Sequence, residues 1–121
     1  MATKVMFVDD SEVALDWAKE SLQPLGFEVI TYNASLGIQS FVRRNLPDII
    51  LLDVNMPALR GDMVCSMLKK NPHTQGVIVA LYSGMPADEL KARADSVGAD
   101  GYVVKVNDVK ELVNQIKDLL K

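Results

Sequence analysis

Cysteine, histidine and tryptophan each occur once in this 121-residue chain. A single cysteine, Cys65, rules out an intramolecular disulfide and suits a reducing cytoplasm. It lies among Met63, Val64, Met67 and Leu68, so it reads as a small packing residue. The one histidine, His73, falls in the loop Asn71-Pro72-His73-Thr74 and reads as surface filler. No apolar run approaches the ~20 residues needed to cross a bilayer. With the first strand expected only a few residues after Met1, no signal peptide is expected. Position 2 is alanine rather than glycine, so myristoylation is not expected. No Lys/Arg cluster stands out, and the net charge of −3 argues against nonspecific nucleic-acid binding. Neither a membrane nor nucleic acid is therefore expected as a direct partner.

Apolar residues are plentiful, at 49%, with 24% charged, which fits one globular domain with a real core. Short β-branched runs alternate with longer amphipathic segments five times. Strands are expected at Lys4–Val8, Phe27–Thr31, Asp48–Asp53, Gly76–Tyr82 and Gly101–Val104. Helices are expected at Ser11–Gln23, Ser35–Asn45, Asp62–Lys70, Ala87–Val97 and Asn107–Leu120. Val13, Ala14, Trp17, Ala18 and Leu22 line one face of the first. Pro24, Gly26, Pro72 and Gly98 punctuate helix ends. Ser11, Asn33 or Ser35, and Asn107 are the expected caps. This (βα)5 alternation implies an α/β, flavodoxin-like fold: a five-stranded parallel sheet in order 2-1-3-4-5 with helices on both faces.

Asp53 closes the apolar run Ile49-Ile50-Leu51-Leu52, which reads as a fully buried strand. A carboxylate there is costly unless it has a task, and the C-terminal edge of an open α/β sheet is where ligands bind. Asp9-Asp10 end the first strand, Ser83 follows the fourth and Lys105 the fifth. In order 2-1-3-4-5 these residues converge on one patch. Clustered carboxylates repel unless a cation sits among them, and oxygen-only ligands select a hard ion such as Mg²⁺. With Lys105 and Ser83 beside it, Asp53 is set up as a nucleophile toward phosphorus. Taken alone, Asp9-Asp10 reads first as a helix-capping pair, Lys105 as a solvated charge and Ser83 as a turn residue. Their coincidence at one sheet edge is what favours a site.

In order and spacing these residues resemble the receiver domains of two-component response regulators, especially stand-alone ones similar to the chemotaxis regulator. The motifs are Asp9-Asp10, Asp53 followed by Met56-Pro57 and Gly61, Ser83 thirty positions after Asp53, and Lys105. The resemblance covers essentially the whole chain. It implies one receiver domain over 1–121 with no output domain, and a phosphoacceptor rather than an enzyme, with at most slow self-dephosphorylation. Asp53 would take a phosphoryl group from a sensor histidine kinase or phosphotransfer protein. Asp10 and Asp53 would bind Mg²⁺ directly, Asn55 through its backbone carbonyl and Asp9 mainly through a coordinated water. Ser83 and Lys105 would contact the phosphoryl oxygens, and Tyr102 would be the switch aromatic. The output protein is not named by the sequence, and the expected location is cytoplasmic.

One departure stands out. The family usually carries proline after the lysine, and here Val106 follows Lys105. A trans bond is expected there, because a cis bond before a non-proline residue costs ~2.5–4 kcal/mol. The alternative of a pseudo-receiver that never takes phosphate is disfavoured by the complete acidic set. A haloacid-dehalogenase-like phosphatase would want a second Asp at position 55, where Asn55 stands. A flavin mononucleotide binder is disfavoured because Asp9-Asp10 would repel its phosphate.

Overall fold

The five apolar runs become five parallel strands: β1 (Lys4–Val8), β2 (Glu28–Tyr32), β3 (Ile49–Asp53), β4 (Ile78–Ser83) and β5 (Gly101–Val104). Helices α1 (Glu12–Leu22), α2 (Ile38–Asn45), α3 (Gly61–Lys70), α4 (Ala87–Val97) and α5 (Val109–Leu119) alternate with them, and a short 3₁₀ turn at Gln23–Leu25 follows α1. The sheet order is β2-β1-β3-β4-β5, as the alternation implies. The computed structural model describes residues 2–33, 37–54 and 61–121, with Gly61 and Asp62 as backbone only.

Helices on both faces leave the central strand no solvent side, which is why β3 is buried at every position. Alternation along the strands sorts the core in two. Met6, Val8, Ile50, Leu52, Val79 and Leu81 face α2, α3 and α4. Val5, Phe7, Ile49, Leu51, Ala80 and Val103 face α1 and α5. The same alternation sorts the residues at the strand ends, and so shapes the site.

Several boundaries differ from the sequence expectations, each for a local reason. Phe27 spends its N–H on Leu22 O at the end of α1 (3.4 Å), so β2 begins at Glu28. Val77 N–H closes a turn onto Thr74 O (3.0 Å), so β4 starts at Ile78 and extends to Ser83. Asp48 stands just outside β3, its carboxylate accepting from Lys4 N–H at 2.7 Å. Ser11 caps α1 as expected, accepting from Ala14 N–H. Asn33 does not cap α2; its side chain donates to Glu12 instead, and Ser35 lies outside the described residues. The cap is Gly37, at φ 79°, where a side chain would be strained. Asp108, not Asn107, caps α5.

The expected apolar faces were too wide at two helices. Val13 is 80% exposed, and Met63 and Met67 are about half exposed, while Cys65 is fully buried as expected. His73 is exposed in its turn.

Candidate functional site

Two strand ends deliver the carboxylates. Asp9 prolongs β1, its N–H donating to Tyr32 O at 3.1 Å, and Asp53 is the last residue of β3. Both are buried, at 3% and 4% exposure, whereas Asp10 is exposed. Each of the three offers a carboxylate oxygen, and these oxygens lie within 4.8 Å of one another. Asp9-Asp10 are not caps. Asp9 Oδ1 instead accepts from Ser11 N–H at 3.0 Å, which pins the turn into α1.

Lys105 closes the cluster from β5. Its N–H donates to Ser83 O at 2.8 Å, continuing the β4–β5 ladder. Its ammonium donates to Asp9 Oδ2 at 3.2 Å and stands 3.7 Å from Asp53 Oδ1. Two buried carboxylates thus share one cation, which lowers the cost of holding both charges out of water. The peptide bond to Val106 is trans, as are all those among the described residues.

Ser83 and Tyr102 lie on the opposite face from Asp53. Ser83 pairs in register with Val104, and Leu81 with Tyr102, so alternation puts Ser83 and Tyr102 together on the α4 side. Ser83 is buried, and its Oγ accepts from Met85 N–H at 3.2 Å, which leaves its proton available to donate. Tyr102 is half-buried against the same core cluster as Leu90 and Ala94 of α4. Asn55, Met56 and Pro57 lie outside the described residues.

One residue at this site was not singled out from the sequence. Tyr82 pairs in register with Asp53 on one side and Val103 on the other, and so shares the Asp53 face. The Lys105 ammonium sits 5.1 Å from its ring centroid. Burial pushes the Tyr82 hydroxyl up to about 12, with Asp9 and then Asp53 adding to the shift. The missed signal was plain alternation: an aromatic beside Asp53 in the neighbouring strand must share its face. Next to this ring an open groove of ≈ 410 Å³ runs past Ser11, Ala14 and Trp17 to Lys105-Val106.

The family model described as the response regulator receiver domain matches residues 5–117. This chain belongs to that family. Protein RcaC of Microchaete diplosiphon is 34% identical over 113 residues, which are 93% of this chain and 17% of that protein. Protein PilG of Pseudomonas aeruginosa is 32% identical over 114 residues, 94% of this chain and 84% of that one. Chemotaxis response regulator CheY4 of Vibrio cholerae has the same fold, with a TM-score of 0.88 at 25% identity, covering 99% of this chain and 100% of that one. The chain spans about half of two further relatives, 53% and 49%, so it corresponds to one part of those longer proteins.

Receiver domains are phosphoacceptor switches of two-component systems, and nothing in this one favours a pseudo-receiver. They bind Mg²⁺ at an acidic pocket, and the donor set here fits such an ion: carboxylate oxygens only, two buried and one open to water. Among the described residues no helix is long and apolar enough to cross a membrane.

Proposed function

We propose that Asp53 is the phosphoacceptor of this receiver domain. A carboxylate oxygen attacks phosphorus of a phosphohistidine on a sensor histidine kinase or phosphotransfer protein. The P–O bond forms as the P–N bond breaks, and the imidazole nitrogen keeps the electron pair. Bound Mg²⁺ would supply positive charge for the phosphoryl oxygens. Asp10 and Asp53 would hold it directly, and Asn55, which lies outside the described residues, through its backbone carbonyl. Both Asp9 oxygens are already engaged, by Ser11 N–H and Lys105, which supports a role for Asp9 through water. Lys105 follows the charge onto the phosphoryl group, and Ser83 donates its proton to another oxygen.

Ser83 then moves toward the phosphate, and Tyr102, on the same face, turns inward behind it. Phosphorylation adds ~1.5–2 negative charges, enough to bias two nearby conformers if one cradles that charge better. The change reaches a partner protein through α4, β5 and α5. The domain acts in the cytoplasm as a switch, with at most slow self-dephosphorylation.

The observation that carries this is the Lys105 ammonium between two buried carboxylates at the strand ends, 3.2 and 3.7 Å away. The test is incubation with Mg²⁺ and acetyl phosphate, followed by intact mass. A single phosphate adduct that disappears in Asp53→Asn is expected. No adduct on the wild-type chain would overturn the assignment.

A further inference from the structure

Lysine carries a compact charge on a flexible four-carbon stem, so where the ammonium stands depends on what holds it. At Lys105 three groups do so: Asp9 Oδ2 at 3.2 Å, Asp53 Oδ1 at 3.7 Å and the ring of Tyr82 at 5.1 Å. The two carboxylates are also the groups that a divalent cation and an incoming phosphoryl group claim. The ring has no such competing task. An ammonium over an aromatic face is attracted by the ring's negative quadrupole, the more so when water is excluded.

The ring is itself well fixed. Tyr82 is 6% exposed and meets Phe7 edge-on, with centroids 5.7 Å apart and planes at 70°. Its strand neighbours are Asp53 and Val103, so its backbone is tied to the strand that carries the acceptor carboxylate. A rigid platform thus stands on the same sheet face as Asp53.

We propose that Tyr82 is a positioning residue for phosphoryl transfer, its ring face holding the Lys105 ammonium beside Asp53 while the carboxylates engage other ligands. This rests on the assignment of Asp53 and Lys105 above. It assigns the work to the ring and none to the hydroxyl. An aliphatic residue of β-branched shape would still fill the core against Phe7, but would leave the ammonium without a platform.

The experiment compares wild type with Tyr82→Phe and Tyr82→Ile, with Tyr82→Leu as a second aliphatic variant should the first not fold. One readout is the ring-current displacement of the Lys105 ε-methylene proton signals in the unphosphorylated protein. The other is the rate of the acetyl phosphate reaction at saturating Mg²⁺. The displacement is expected in wild type and Tyr82→Phe and absent from the aliphatic variant. The rate should stay within about twofold for Tyr82→Phe and fall about threefold to tenfold for the aliphatic variant. An aliphatic variant that reacts at the wild-type rate overturns the proposal, and so does a Tyr82→Phe variant as slow as the aliphatic one. If wild type takes no phosphate, the Asp53 assignment fails. The proton signals then still decide whether the ring holds the lysine, and undisplaced wild-type signals overturn that.

Discussion

Gln115 of α5 pairs with both backbone groups of Val104 on β5. Its side-chain oxygen accepts from Val104 N–H at 3.0 Å, and its amide nitrogen donates to Val104 O at 3.2 Å. β5 is an edge strand, so this amide supplies at one residue what a further strand would. The residue so held immediately precedes Lys105 and pairs with Ser83. Gln115 therefore ties α5 to the strand end that carries the site's cation.

Gln115→Ala should lower stability by ~1–2 kcal/mol, two partly buried hydrogen bonds being lost with water able to replace them in part. Denaturant unfolding measures the loss. Hydrogen exchange at the Val104 amide should accelerate, while the amides of β1 and β3 keep their protection relative to global unfolding. Unchanged exchange at Val104 would mean that the amide does not hold the strand edge.

Lys105→Met should act on stability and on metal binding in opposite directions. Removing the ammonium takes from the buried Asp9 and Asp53 the cation that they share. Breaking a buried pair costs ~3–5 kcal/mol, but the Lys105 side chain is 33% exposed, so screening reduces the expectation to ~1–2 kcal/mol. With that ammonium gone the cluster should bind Mg²⁺ several-fold more tightly, and the ion should restore the lost stability. Calorimetric titration and thermal unfolding with and without Mg²⁺ check both. Weaker Mg²⁺ binding in the variant would count against the ammonium as the cluster's counter-charge.

The strands and the strand-end carboxylates were legible because each depends on short-range information. An apolar run such as Ile49–Leu52 announces a buried strand, and the right-handed crossover then dictates which strand ends are neighbours. Asp9, Asp53 and Lys105 follow from that topology with no knowledge of side-chain direction. Tyr82 and Gln115 did not follow so directly. The first meets Lys105 only because of how a flexible lysine folds back. The second is a polar residue on an amphipathic helix, indistinguishable in sequence from a solvated one. Helix margins failed for another reason. Val13 fits the apolar spacing of α1, yet it is exposed and lines the open groove beside Tyr82.

Gly101 begins β5 directly beneath the end of α5. A Cβ at that position would collide with Leu119 Cδ2, the tip of a side chain that can give way at some cost. Gly101→Ala should therefore destabilise by about 1 kcal/mol, overpacking outweighing the strand's usual gain from losing a glycine. The collision has one named partner, so Leu119→Ala in the same chain should remove the penalty. A double-mutant cycle should show coupling of at least ~0.5 kcal/mol. Strict additivity would place the strain elsewhere.

Alkaline pH should expose the environment of Tyr82. Its hydroxyl is pushed from 10 up to about 12, first by burial and then by the charges of Asp9 and Asp53. The folded state therefore keeps a proton that the unfolded chain releases near pH 10. Below pH 10 both states hold it and this contribution to stability is fully present. Between pH 10 and 12 the folded state binds more protons, so stability falls as pH rises. The slope approaches ~1.4 kcal/mol per pH unit, and the total loss is on the order of 3 kcal/mol. Tyr82→Phe should lack this component of the decline. Asp9→Asn should narrow the window, because one of the negative charges that disfavour the phenolate is gone. Urea unfolding at intervals from pH 9 to 12, alongside tyrosinate absorbance, measures all three proteins. A wild-type curve parallel to that of Tyr82→Phe would show that the hydroxyl is not held in this buried, acidic setting.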